Sequence, residues 1–166
     1  MKSTVLLLVW ALASLATAAS ANDYKLGALE IEQPWARGTP KGARTAAGYL
    51  AIKNTGNTPD RLRGGSLAGA GRGEIRDALT DGGVMKMRPL PEGIEIKPGE
   101  SVALRPGRTH LMFNDLEARL VKGQSVKGTL TFANAGTLDV VFVIKGMGAS
   151  AGSASDSMPM DPMQMH

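Results

Sequence analysis

"SVKGTLTF", Ser125 to Phe132, alternates between two kinds of side chain: Val126, Leu130 and Phe132 fall on one face, and Ser125, Lys127, Thr129 and Thr131 on the other. A period of two is the mark of a strand with one buried face. "TLDVVFVIK", Thr137 to Lys145, repeats the pattern with Leu138, Val140, Phe142 and Ile144. Shorter runs of the same kind occur at Ala46 to Lys53, Gly73 to Leu79, Val84 to Leu90, Ile94 to Ile96, Ser101 to Leu104 and His110 to Leu116. Between them "NTGNTPD", "TDGG", "KPGE", "RPGR" and "VKGQ" supply glycine, proline, asparagine and aspartate, the residues that turns require. Many short strands at close spacing predict an all-β, antiparallel sandwich or barrel, and no long helical period competes.

The two ends of the chain read differently. "MKSTVLLLVWALASLATAASAN" has one lysine, an apolar run and a small-residue pattern ending at Ala21, as expected of a secretory signal peptide, residues 1–21, cleaved after Ala21. The run is short for a membrane span and no later stretch qualifies, so no stable membrane insertion is expected. Removing 21 of 166 residues leaves 145, with a net charge of +3 in place of +4 because Lys2 is lost. That length suits one domain, expected over residues 22–145. From Gly146 onward "GMGASAGSASDSMPMDPMQMH" is rich in glycine, alanine, serine and proline, and predicts a disordered tail over residues 146–166. The chain has no cysteine, which removes any disulfide framework and any thiolate metal site. Its basic residues are dispersed among acids with few aromatics between them, so no nucleic-acid partner is expected.

Two short stretches carry candidate chemistry. In "RTHLMFND", Leu111 and Phe113 point one way and His110 and Met112 the other. If the apolar pair faces the core, the His-Met pair faces outward. In "GVMKMRP", Met85 and Met87 share a face in the same way. Core methionines are the ordinary reading of such a pair, and a lone histidine is more often structural than a ligand. Thioethers and imidazole without thiolate suit copper(I). Zinc would ask for cysteine or more histidine, and calcium for a carboxylate loop.

These stretches, with "PWARGTPKGARTAAGYLAIKNTGNTPDRL", "DGGVMKMRPL" and "KPGESVALRPGRTHLMF", resemble the periplasmic copper(I) chaperones of the PCuAC family over most of the chain, from about Leu26 to Lys145. The resemblance implies a cupredoxin-like antiparallel Greek-key β-sandwich holding one copper(I) through a histidine, a methionine after about ten intervening residues, and a His-x-Met pair about twenty further on. On this chain Met87, His110 and Met112 match. The interval from Met87 to His110 is one residue longer than usual, with "PLPEGIEI" the expected place for the insertion. Where the family has its first histidine this chain has Arg76, whose guanidinium stays protonated and has no lone pair for a metal. Met87 is expected on a strand next to His110. Met85, or Met158, Met160, Met163, Met165 and His166 of the tail, are candidates for the missing donor, and the stem of Arg76 is expected to turn its charge away.

The function implied is a periplasmic carrier passing copper(I), by ligand exchange, to a copper-accepting subunit of cytochrome c oxidase or to another periplasmic copper carrier. The other reading is a β-sandwich protein-interaction domain whose metal site has decayed at Arg76. An enzyme is not expected. The one G-x-S-x-G match, around Ser150, lacks the strand-to-helix turn that motif needs, and a single histidine outside the tail leaves little for a triad or a copper oxygenase.

Overall fold

The computed structural model describes residues 23–150. The expected signal peptide and the tail donors Met158, Met160, Met163, Met165 and His166 lie outside the described residues. The described residues form strands only: β1 (Tyr24–Leu26), β2 (Leu29–Arg37), β3 (Ala46–Asn54), β4 (Asp60–Leu67), β5 (Arg72–Asp81), β6 (Val84–Pro89), β7 (Ile94–Ile96), β8 (Ser101–Leu104), β9 (His110–Phe113), β10 (Ser125–Phe132) and β11 (Thr137–Lys145).

Pairing runs β2–β11–β10–β4–β5–β9–β3 and returns from β3 to β2, so the main strands close on themselves. The expected all-β architecture is present, with one departure from a purely antiparallel sheet: β2 and β11 pair in parallel, Trp35 to Val143 and Arg37 to Lys145. Closure is the physical reason. Without that pair both strands would present an open edge there.

The alternation read from the sequence determines what fills the interior. Leu130 and Phe132 of β10, Val140, Phe142 and Ile144 of β11, Leu50 and Ile52 of β3, and Leu111 and Phe113 of β9 are all buried in one cluster. Phe113 meets Phe142 edge to face at 5.4 Å, joining the β9 wall to the β11 wall. The Phe113 ring fits because its flanking strands carry glycine there. A Cβ at Gly48 of β3 would come within 2.6 Å of the ring, and one at Gly73 of β5 within 2.7 Å.

The β5–β6 hairpin extends from this body. Gly82 and Gly83, both at positive φ, make its two-residue turn between Asp81 and Val84. Two successive left-handed residues are what a tight hairpin of this twist requires. All of β6 is exposed, and among the described residues its only partner strand is β5.

Candidate metal centre

Strand β5 is the axis of the site. Along its first half it pairs with β9, placing Glu74 opposite Met112 and Arg76 opposite His110. Along its second half it pairs with β6, placing Arg76 opposite Pro89, Ala78 opposite Met87 and Thr80 opposite Met85. Directly opposed residues share a face of the sheet. Glu74, Arg76, Met85, Met87, His110 and Met112 therefore project from one face, the one opposite the core residues Ile75, Leu111 and Phe113. Burial of Leu111 and Phe113 is what turns His110 and Met112 outward.

Arg76 has a strand on each side, β9 at His110 and β6 at Pro89. Met87 is thus not on a strand adjacent to His110, as the sequence led us to expect. β6 is the return leg of a hairpin and occupies one edge of β5, leaving β9 the other. Two strand spacings, roughly 10 Å of backbone, separate β6 from β9, with Arg76 on the strand between. Met85 is one alternation further out than Met87.

His110 is set for a defined role. Its Nδ1 lies 2.8 Å from the Arg108 carbonyl oxygen. That oxygen can only accept, so Nδ1 carries a proton, and in the neutral ring this is the tautomer whose Nε2 lone pair can ligate a metal. Among the described residues Nε2 has no hydrogen-bond partner. His110 is only 4% exposed, whereas Met87 and Met85 are 47% and 57% exposed. The outward-facing histidine is covered by a second, smaller layer that the sequence reading missed. Tyr49 of β3 lies with its ring centroid 6.3 Å from that of His110, and Trp35 of β2 lies 4.4 Å from Tyr49. Both rings are buried yet outside the main core. A bulge at Gln33, φ 45°, shifts the alternation of β2 and brings Trp35 to this face.

Cations border the layer. The Arg37 guanidinium lies 5.7 Å from the Tyr49 ring centroid and the Lys145 ammonium 4.8 Å from that of Trp35. Burial pushes the Tyr49 phenol up from its usual value, with Arg37 opposing the shift. Arg37 Nη2 also donates to the carbonyl of Ala149 at 2.9 Å, which fixes the end of the described chain beside this aromatic layer.

Arg76 turns along its own strand. Its Nη2 lies 3.3 Å from Glu74 Oε2, toward the Met112 end of the face and away from Ala78 and Met87. Its Nε is buried with no hydrogen-bond partner. Glu74 was legible as its neighbour two residues earlier on the same face. The start of β9 is held to β5 by Thr109, whose hydroxyl donates to Asp77 Oδ1 at 2.8 Å, a contact the sequence pattern does not signal. Among the described residues no three His, Asp or Glu side chains gather as a metal group. With the Glu74 carboxylate engaged by Arg76, the remaining donors on this face are thioethers and one imidazole, a set soft enough for copper(I).

The family model described as "Putative lipoprotein LpqE-like" matches residues 29–144. "Putative lipoprotein Lxx21020" of Leifsonia xyli subsp. xyli is 27% identical over 117 residues, 70% of this chain and 69% of that protein. The 166 residues have no cysteine to which a lipid could be joined through sulfur. Among solved structures, an apo PCuAC domain from PmoF1 aligns with TM-score 0.63 at 26% identity, over 75% of this chain and 98% of that one. A copper-bound PCuAC domain from PmoF2 aligns with TM-score 0.62 at 24% identity, over 75% and 97%. The copper(I) form of DR1885 from Deinococcus radiodurans aligns with TM-score 0.57 at 23% identity, over 78% and 85%. The chain belongs to the LpqE-like family, and its fold is the cupredoxin-like β-sandwich of the PCuAC domains.

Proposed function

We propose that this protein is a periplasmic carrier that takes copper(I) as cargo on the outer face of β6, β5 and β9. The observation that carries the reading is the shared face itself: His110, with Nδ1 held by the Arg108 carbonyl and Nε2 free, stands on the same side of the sheet as Met112, Met87 and Met85. Thioethers bind copper(I) well and exchange readily, so an acceptor's ligands can enter as Met87 or Met85 leaves. Both are exposed enough for a second protein to approach. Copper-bound and copper(I) forms of proteins with this fold support the cargo, and the lipoprotein names of the relatives support an exported location.

Delivery to a copper-accepting oxidase subunit or to another periplasmic copper carrier is the role we assign. The tail is assigned the position that Arg76 does not fill. Ala149 is tied through Arg37 to the Tyr49 side of His110, so the described chain ends on that side of the metal face. Competition titration tests the function: the chain from Asn22 should withdraw copper(I) from a chelator and bind zinc(II) and copper(II) more weakly. Tighter zinc(II) than copper(I) binding would reject it.

A second reading rests on Arg76. An arginine beside His110, ion-paired to Glu74, is also what a β-sandwich recognition domain with a decayed metal site would show. Failure to compete for copper(I) in the same titration would favour it.

A further inference from the structure

Between β4 and β6, beside β5, opens a cleft of about 390 Å³ with an unusual lining. Arg63 of β4 and Arg72 and Arg76 of β5 border it, and Glu74 is its one acid. The opposite wall is Pro89, Leu90 and Pro91, a stiff apolar turn held by the Leu90 amide donating to the Ile75 carbonyl at 2.9 Å. Glu74 is engaged by Arg76. Arg63 and Arg72 form no ion pair or side-chain hydrogen bond among the described residues, and the buried Nε of Arg76 is without an acceptor.

Three guanidinium groups around one cleft, with a single carboxylate among them, repel one another. They leave unmet donors of the planar kind that matches carboxylate or phosphate oxygens. The cleft walls exclude part of the solvent that would screen such a charge. We infer that this cleft is an oxyanion site for a carboxylate or phosphate group, with Arg63 and Arg72 as its free donors and Arg76 shared between it and the metal face.

The sharing has a consequence. Arg76 is the direct cross-strand neighbour of His110, so an anion in the cleft offsets positive charge next to the proposed copper. On the carrier reading above, which this consequence rests on, an anion in the cleft raises copper(I) affinity. If the anion is a carboxylate on a partner, docking and metal binding become coupled.

The test begins without metal, on the chain from Asn22 to His166. Calorimetry at low ionic strength uses two probes: inorganic phosphate, and an acetylated, amidated tetra-aspartate peptide. Wild type should bind at least one probe at one equivalent. The double variant Arg63→Gln, Arg72→Gln, checked for an unchanged circular dichroism spectrum and unfolding midpoint, should bind it about tenfold or more weakly. Phosphate binding alone identifies a free anion as occupant, peptide binding alone a partner's carboxylates, and binding of both a site that accepts either. Absence of binding to both probes, or equal binding by wild type and double variant, overturns the site. A second arm repeats copper(I) competition with and without the bound probe. A rise in affinity in wild type but not in the double variant supports the coupling. Probe binding without any rise overturns the coupling and leaves the anion site standing, and a protein that binds no copper(I) overturns the carrier reading while the first arm is judged separately.

Discussion

Arg76 of β5 and His110 of β9 are direct cross-strand partners on the outer face of the sheet, and the guanidinium of Arg76 is drawn to Glu74 at 3.3 Å. The residue that most opposes a bound cation thus stands beside the one imidazole the folded domain offers. At 4 Å two unit charges repel by about 1 kcal/mol in water and about 4 kcal/mol at an effective dielectric near 20. Glu74 offsets part of that, and the exposed pair it makes is itself worth at most about 1 kcal/mol.

Position 76 and the tail should therefore substitute for each other. Removing Met158 to His166 is expected to weaken copper(I) binding at the core face, and Arg76→His in the shortened chain to restore much of the loss by adding an imidazole and removing a cation. Tethered donors act at roughly millimolar effective concentration, enough to complete a site lacking one ligand. The check is copper(I) affinity for the four combinations of native or substituted position 76 with full or shortened chain. Additive effects would mean that the tail and position 76 act independently.

Met85→Leu and Met87→Leu should separate binding from stability. Both side chains are about half exposed on β6, which among the described residues pairs with β5 alone, so each change should move unfolding free energy by less than about 0.5 kcal/mol. Copper(I) affinity should fall, more for Met87, which is nearer to the row of Arg76 and His110. Equal affinity in the double leucine variant would remove the hairpin from the site.

Much of this was legible in the sequence because β structure has a period of two. The bounds of β10 and β11 follow from Ser125–Phe132 and Thr137–Lys145 alone, and the division of Leu111 and Phe113 from His110 and Met112 needs only alternation. Strand β2 was missed because the bulge at Gln33 and the following Pro34 break its pattern midway. Strand β4 was missed because Gly64 and Gly65 put no side chain on either face. Pairing between distant strands has no local signature, so neither the parallel β2–β11 closure nor the insertion of β5 between Met87 and His110 was readable. The burial of His110 under Tyr49 depends on that same long-range pairing.

The glycines around Phe113 make a stability prediction. Gly48→Ala and Gly73→Ala each place a methyl group within contact distance of the Phe113 ring and should destabilise the fold by about 1–3 kcal/mol through overpacking. Both should also disturb β9 and with it His110. Urea unfolding of each variant checks the size, and a stability equal to wild type would mean that the ring is not confined as described.

Tyr49 gives the fold an alkaline limit. Its phenol titrates above the ordinary value of 10.0 because burial disfavours the phenolate, more than Arg37 favours it. A folded-state value above the unfolded one contributes stability that is fully present below pH 10 and is lost as pH rises through the folded value. Unfolding midpoints should decline above pH 10, and Tyr49→Phe should reduce that decline. An unchanged pH profile in Tyr49→Phe would remove Tyr49 as the cause.

X-ray absorption at the copper edge of the copper(I)-loaded domain, ending at Ser150, tests the central claim most directly. Thioether sulfur scatterers together with a single imidazole are expected, with loss of the imidazole signal in His110→Ala. A first shell of oxygen and nitrogen without sulfur, or a spectrum unchanged by His110→Ala, would contradict it.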